Sequence, residues 1–217
     1  MPDTIEGKRP NPQKVDGEKS VSERAIEAKC LENRLIRLEP HAGAHREGQR
    51  GAALNDSDLF AYMPADLSGN QFDRWFDWTS TISDGRRELA FGVRRQSDGR
   101  LVGSTRFLNI ELAHKRAEIG HTWYERSAWG STVKPSCKYL LMEFAFEQLD
   151  LNRVELKCDA RNLRSRQAIL KLGATQEGTL RKHMVMFDGF VRDTIYFSVL
   201  KDEWSQVKAG LLHRLHD

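Results

Sequence analysis

From Trp129 to Lys134 the chain reads Trp-Gly-Ser-Thr-Val-Lys, a run of small and hydroxyl-bearing residues ending in an ammonium just ahead of an amphipathic segment. A helix that starts there leaves its first amides unpaired at the positive end of the helix dipole, which makes the loop an anion site. The hydroxyls of Ser131 and Thr132 and the charge of Lys134 would add hydrogen bonds to a phosphate. An ordinary strand-to-helix connection uses the same residue types, so the loop alone leaves both readings open.

Two titratable side chains, Glu118 and His121, sit just upstream in "AEIGHTWY". Either could accept a proton from a reacting group. A three-residue separation sets them on opposite faces of a regular strand, unless a bulge intervenes. A structural carboxylate and a packed histidine are the alternatives. Downstream, Asn162 and Ser165 form an N-x-x-S spacing at a helix start, where asparagine is a good cap. The cysteines Cys30, Cys137 and Cys158 are far apart and form no CxxC pair, so neither a disulfide framework nor a zinc site is expected.

The elements that must carry these groups follow from periodicity. "LENRLIRLEP" reads as a first strand closed by Pro40, preceded by a short helix from Val21 to Cys30. The stretch from Ala42 to Asp84 holds two helices, the second with Phe72, Trp75, Phe76 and Ile82 at mostly helical spacing. Residues 88–112 form a hairpin around Ser97-Asp98-Gly99, and "AEIGHTWY" is a further strand. From Pro135, the residues Cys137, Leu140, Leu141, Phe144 and Ala145 draw one apolar stripe along a helix. "RVELKCDA" is a strand, "NLRSRQAILKLG" a helix ending at Gly173, and a hairpin turns at Asp188-Gly189 before a closing helix. The order is mixed α+β, and its βαβ section requires a parallel strand pair.

Composition narrows the class. The 217 residues carry 34 basic and 31 acidic side chains, a net charge of only +3, which is weak for a dedicated nucleic-acid binder. No apolar run reaches the length needed to span a bilayer, and the N-terminus shows no signal-peptide core, so a cytoplasmic protein is expected. Residues 1–30 read as a charged, flexible tail and 31–217 as one domain.

The segments "LNRVELKCDARNLRSRQAILKLGATQEGTLR" and "DGFVRDTIYFSVLKDEW", with "AEIGHTWY" and the loop after it, resemble the GNAT N-acetyltransferase superfamily, specifically its RimJ/RimL-type branch. The resemblance covers Leu31 to Trp204. It implies a GNAT acyltransferase fold: a central mixed, mostly antiparallel sheet, flanked by helices, in which two parallel strands splay to admit acetyl-CoA as co-substrate. On that basis the pantetheine arm runs along Thr122, Trp123 and Tyr124, the diphosphate rests on Trp129, Gly130, Ser131, Thr132, Val133 and Lys134, and Asn162 and Ser165 lie near the cofactor. The loop departs from the usual pattern, with Thr132 where a second glycine is common and Lys134 where a small residue is common. Ile169 stands where many relatives have a tyrosine acid.

The implied reaction is direct attack of an amine on the thioester. Orientation alone contributes on the order of 7 to 11 kcal/mol to such a step. Glu118 or His121 would serve as base, Ser165 as acid, and a main-chain N–H near Thr122 or Trp123 as oxyanion donor. Trp75, Trp78 and Phe107 are candidates for the acceptor pocket. Expected partners are an amine substrate, including a protein N-terminus or a ribosomal protein, and a second copy of the chain in a homodimer; no metal, DNA or membrane is expected. The alternatives are a non-catalytic acyl-CoA sensor of the same fold and a ribosome-associated module using the basic "RLIRLEPHAGAHREGQR".

Overall fold

Alternation along the strands and a single apolar stripe on each helix leave every element with one face to cover, and here a sheet with helices on both sides covers them. The computed structural model describes residues 25–216 apart from 55, 66 and 68. The strands are β1 (Leu31–Glu32), β2 (Ile36–Pro40), β3 (Leu89–Arg95), β4 (Leu101–Glu111), β5 (Arg116–Tyr124), β6 (Arg153–Asp159), β7 (Thr175–Val185) and β8 (Val191–Leu200). They form one eight-stranded sheet in the order β1-β2-β3-β4-β5-β6-β8-β7. Every neighbouring pair is antiparallel except β5–β6.

The helices are α1 (Arg46–Ala53), α2 (Gln71–Ile82), α3 (Val133–Glu143), α4 (Leu163–Leu172) and α5 (Trp204–His216). One side of the sheet holds the main core, where Ile119, Val154, Leu156, Ile195 and Phe197 meet the α3 stripe of Cys137, Leu140 and Leu141. Each such side chain, fully buried, contributes about 1.5 to 3 kcal/mol. The other side holds a smaller core in which Phe72, Trp75 and Phe76 of α2 pack with Phe60 and Trp123. Strand residues on these two sides alternate, so Ile119, Leu156 and Ile195 face α3 while Glu118, Lys157 and Thr194 face the α1–α2 side.

Two expectations change near the start. The strand expected over Leu31–Pro40 is broken by a turn at Asn33, whose Oδ1 accepts the N–H groups of Leu35 and Ile36 at 2.9 and 3.0 Å. An asparagine side chain that satisfies backbone amides in this way competes with the strand ladder. The buried residues are therefore Leu31, Ile36 and Leu38, and Leu35 is only half-buried. Residues 25–30 are not helical; Ile26 instead donates its N–H to the Gly85 carbonyl at 2.7 Å and joins the main core. The remainder of that expected helix, and most of the expected tail, lies outside the described residues.

The basic stretch near the start is paired with carboxylates. Arg46 and Arg50 reach Asp73 at 2.8 and 2.6 Å, and His45 reaches Glu39 at 3.0 Å. The arginine pairs are largely exposed and contribute little to stability, but they cancel the local positive charge that a nucleic-acid surface would need, while burial holds the His45 imidazole below its usual range.

Candidate active site

β5 and β6 are in register only at Arg116↔Arg153, Ala117↔Val154 and Glu118↔Glu155. Beyond Glu118 they part, and a cavity of about 520 Å³ opens between the rest of β5 and Leu156–Asp159 of β6. The divergence has a local cause. On β4, Ser104 and Arg106 pair with Trp123 and Gly120, so two steps on β4 match three on β5. The extra residue is a bulge, which bends its strand and sharpens the twist. His121 within it has φ 45°, a left-handed conformation rare for a residue with a side chain.

The loop of the opening motif closes one end of the cavity, to which Trp129, Gly130 and Lys134 contribute. Gly130 takes φ 71°, whereas Thr132 has φ −73° and ψ −5°, so the glycine the loop needs is present and the threonine is unstrained. Ser131 Oγ donates to the Ala128 carbonyl at 2.7 Å and accepts the Val133 N–H at 3.2 Å. Among the described residues, the amides of Gly130, Ser131, Thr132 and Lys134 have no acceptor. A left-handed residue is costly for alanine by about 1 to 2 kcal/mol. Gly130→Ala, which meets no atom within 4 Å, is therefore expected to lower the melting temperature by a few degrees. It should also raise the coenzyme A dissociation constant measured by calorimetry.

The model of the GNAT acetyltransferase domain matches residues 36–175, from β2 into β7. The chain belongs to the GNAT acetyltransferase family. "Putative ribosomal N-acetyltransferase YdaF" of Bacillus subtilis (strain 168) is 32% identical over 111 residues, 51% of this chain and 60% of that protein. The chain thus spans about three-fifths of that relative's length. A crystal structure of a GCN5-related N-acetyltransferase from Brucella melitensis superposes with a TM-score of 0.81 at 29% identity, covering 88% of this chain and 86% of that one. The fold is shared as well with Mycobacterium smegmatis RimJ in complex with CoA-disulfide, at a TM-score of 0.72, 21% identity, and coverage of 85% and 92%.

In this GNAT chain Glu118 is only 1% exposed. Its Oε2 accepts from Asn109 Nδ2 at 3.1 Å and from Lys157 Nζ at 3.0 Å, while Oε1 is buried with no partner. Gly120 keeps this carboxylate in place, because a Cβ there would lie 2.9 Å from Oε1. His121 also lines the cavity, but burial, reinforced by the charges of Arg106, Lys157 and Arg192, pushes it down to about 3. A neutral imidazole that weakly basic is a poor proton acceptor near pH 7.

Asn162 caps α4 by accepting the Ser165 N–H at 2.9 Å, and both residues line the cavity. Arg164 stacks on Trp129 with its guanidinium carbon 3.7 Å from the ring centroid. Trp129 in turn donates its indole N–H to the Tyr124 carbonyl at 2.8 Å. This ties the loop to the end of β5. Lys138, one turn into α3, also lines the cavity; it is 7% exposed, and burial pushes its ammonium down to about 7. Cys137 and Cys158 are buried thiols pushed up by burial to about 12 and about 11, outside the reactive range.

The structure brings Glu118, His121, Thr122, Trp123, Tyr124, Trp129, Gly130, Lys134, Asn162 and Ser165 to one cavity. The expected aromatic acceptor wall is corrected. Phe107 is wholly buried in the main core against Phe91 and Phe144, and Trp75 packs on Trp123 at 6.0 Å between ring centroids. Trp78 is 45% exposed and stands beside the cavity, its ring 6.3 Å from that of His121. Helical spacing marked the face that α2 turns to the sheet, not a face toward a ligand. The corresponding wall is built by Leu59, Tyr62, Met63 and Pro64 from the α1–α2 connection. Lys138, Lys157 and Arg192 were not singled out in the sequence. Alternation in "VRDTIYFSVL" carries the signal for Arg192, placing it opposite Ile195 and Phe197; Lys138 beside an apolar stripe carries none.

Proposed function

We propose that the chain transfers an acetyl group from acetyl-CoA to a primary amine by direct attack, with a protein N-terminus of the ribosomal-protein class as the acceptor type. The observation that carries this reading is the opening between β5 and β6 beyond Glu118↔Glu155, with unpaired loop amides at one end and a carboxylate oxygen lacking a partner inside. The description of the Bacillus subtilis relative as a ribosomal N-acetyltransferase supports the acceptor type.

In this reading the amides of Gly130, Ser131, Thr132 and Lys134 receive the diphosphate, with Lys134 and Arg164 adding charge. The β5 edge from Thr122 to Tyr124, released from β6, is available to pair with the pantetheine amides and to offer an N–H to the oxyanion. The amine approaches from the α1–α2 side, because α3 and the diphosphate occupy the other. Glu118 Oε1 takes the amine proton, directly or through a water, and Ser165 donates to the departing thiolate. A terminal α-amine, with a pKa of about 8, is neutralised far more cheaply than a lysine at about 10.4.

The test is mass spectrometry of a panel of N-terminal peptides and small amines incubated with the protein and acetyl-CoA, alongside calorimetry of coenzyme binding. Acetylated amine products are expected, with slower turnover in Ser165→Ala. Tight coenzyme binding without transfer to any amine would instead identify the sensor.

A further inference from the structure

Arg192 is 3% exposed and lines the cavity. Its Nε donates to Thr194 Oγ1 at 3.0 Å and its Nη1 to the Tyr62 carbonyl at 3.3 Å. Both partners are neutral, and among the described residues no carboxylate lies within ion-pair distance of its guanidinium. Asp159 and, more weakly, Glu118 attract the guanidinium across the cavity, but each makes its close ion pair elsewhere, Glu118 with Lys157 at 3.0 Å and Asp159 with Arg161 at 2.8 Å. A guanidinium has five donors in a rigid fork, and a buried charge without a counter-ion is costly. The fork is thus anchored by two neutral contacts and left with donors to spare.

Its position decides what the spare donors can meet. Strand alternation on β8 puts Arg192 and Thr194 on the α1–α2 side, opposite Ile195 and Phe197 in the main core. The amides of Gly130 to Lys134 open α3 on the other side of the sheet. A diphosphate seated on those amides therefore leaves Arg192 free. Arg192 lines the same cavity as Glu118 and His121, on the side from which the amine approaches.

We propose that Arg192 receives an oxyanion of the acceptor, and that the substrate class is amines carrying a carboxylate or phosphate on the same residue as the nitrogen or on the next one. This rests on the acetyltransferase reading above. The fork suits planar, two-point recognition of either group, and an acceptor of this class supplies the missing counter-charge as it binds. A peptide N-terminus with an acidic or phosphorylated second residue and a free acidic amino acid present the same chemistry.

The experiment compares kcat/KM for Ala-Asp-, Ala-phosphoserine-, Ala-Asn- and Ala-Lys-initiated peptides and for free aspartate, in the 217-residue chain and in its Arg192→Met and Arg192→Lys variants. Wild-type protein is expected to favour the acidic peptides over the Asn peptide by about 10- to 100-fold, the range of a charge-assisted buried pair. Arg192→Met should bring that ratio close to one and Arg192→Lys should restore part of it, with folding checked by coenzyme calorimetry. Comparing the peptides with free aspartate separates the two sources of the anion. Equal wild-type rates on the Asp, phosphoserine and Asn peptides, with free aspartate not turned over, would leave the acetyltransferase reading intact and overturn the Arg192 assignment; so would a preference that survives in Arg192→Met. No turnover on any amine would overturn both, and the wild-type comparison stands even if the methionine variant fails to fold.

Discussion

Replacing Glu118 by glutamine is expected to lower kcat by about 10²- to 10⁴-fold, the usual contribution of a positioned base. The amide keeps the shape of the carboxylate and can still accept from Asn109 Nδ2, but it cannot take a proton through the unpartnered Oε1. It also removes the charge opposite Lys157, which is 23% exposed and can rehydrate, so the loss of stability should be modest. Coenzyme affinity should change little, because Glu118 faces the α1–α2 side of the sheet, opposite Ile119 and the α3 side that the loop amides open. The pH profile separates a base from a structural carboxylate. As pH rises through the acceptor's pKa, about 8 for an α-amine, the amine no longer needs a base, and the variant should regain part of the lost rate. Wild-type kcat in Glu118→Gln near pH 7 would remove the carboxylate from the chemistry.

The second large effect is on stability. Lys138 is buried with its ammonium near 7, against about 10.4 in an unfolded chain. Burial is the main cause and the neighbouring Lys134 adds to it, while Cys137 and Glu118 act in the opposite direction. Because the folded value lies below the unfolded one, the unfolded chain binds the extra proton between them. The cost of burying this lysine is therefore full below pH 7 and is relieved as pH rises from 7 to about 10. Lys138→Met should stabilise the protein at pH 7 by up to about 3 to 4 kcal/mol and flatten the rise in stability over that range, as read by denaturant unfolding. The same variant should bind coenzyme A more weakly, since a cation facing the cavity is lost. Gain of stability with loss of affinity is the pattern expected where a site is maintained against the fold's own preference. A variant no more stable than wild type would mean that the ammonium is solvated rather than buried.

Much of this protein is readable from the order of its residues. The apolar stripe of Cys137, Leu140 and Leu141 on α3, continued by Phe144 and Ala145 in the π-helical turn that follows it, is buried throughout, Gly173 ends α4 with φ 101°, and the Asp188-Gly189 turn joins β7 to β8. These features depend on neighbours within a few positions, where periodicity, capping and turn chemistry act. The small-residue loop is equally local, as is the family likeness of the segments around it. Only the tertiary structure decided that β5 and β6 part after Glu118↔Glu155, that Glu118 keeps one oxygen free, and that Arg192 and Lys138 face the cavity with no carboxylate at ion-pair distance among the described residues. It also sent Trp75 and Phe107 into cores rather than to a ligand. Apolar spacing reports which face of an element is covered, not what covers it. Strand register and the pairing of buried charges are set between residues far apart in the chain, and such choices exist only once the sheet has formed.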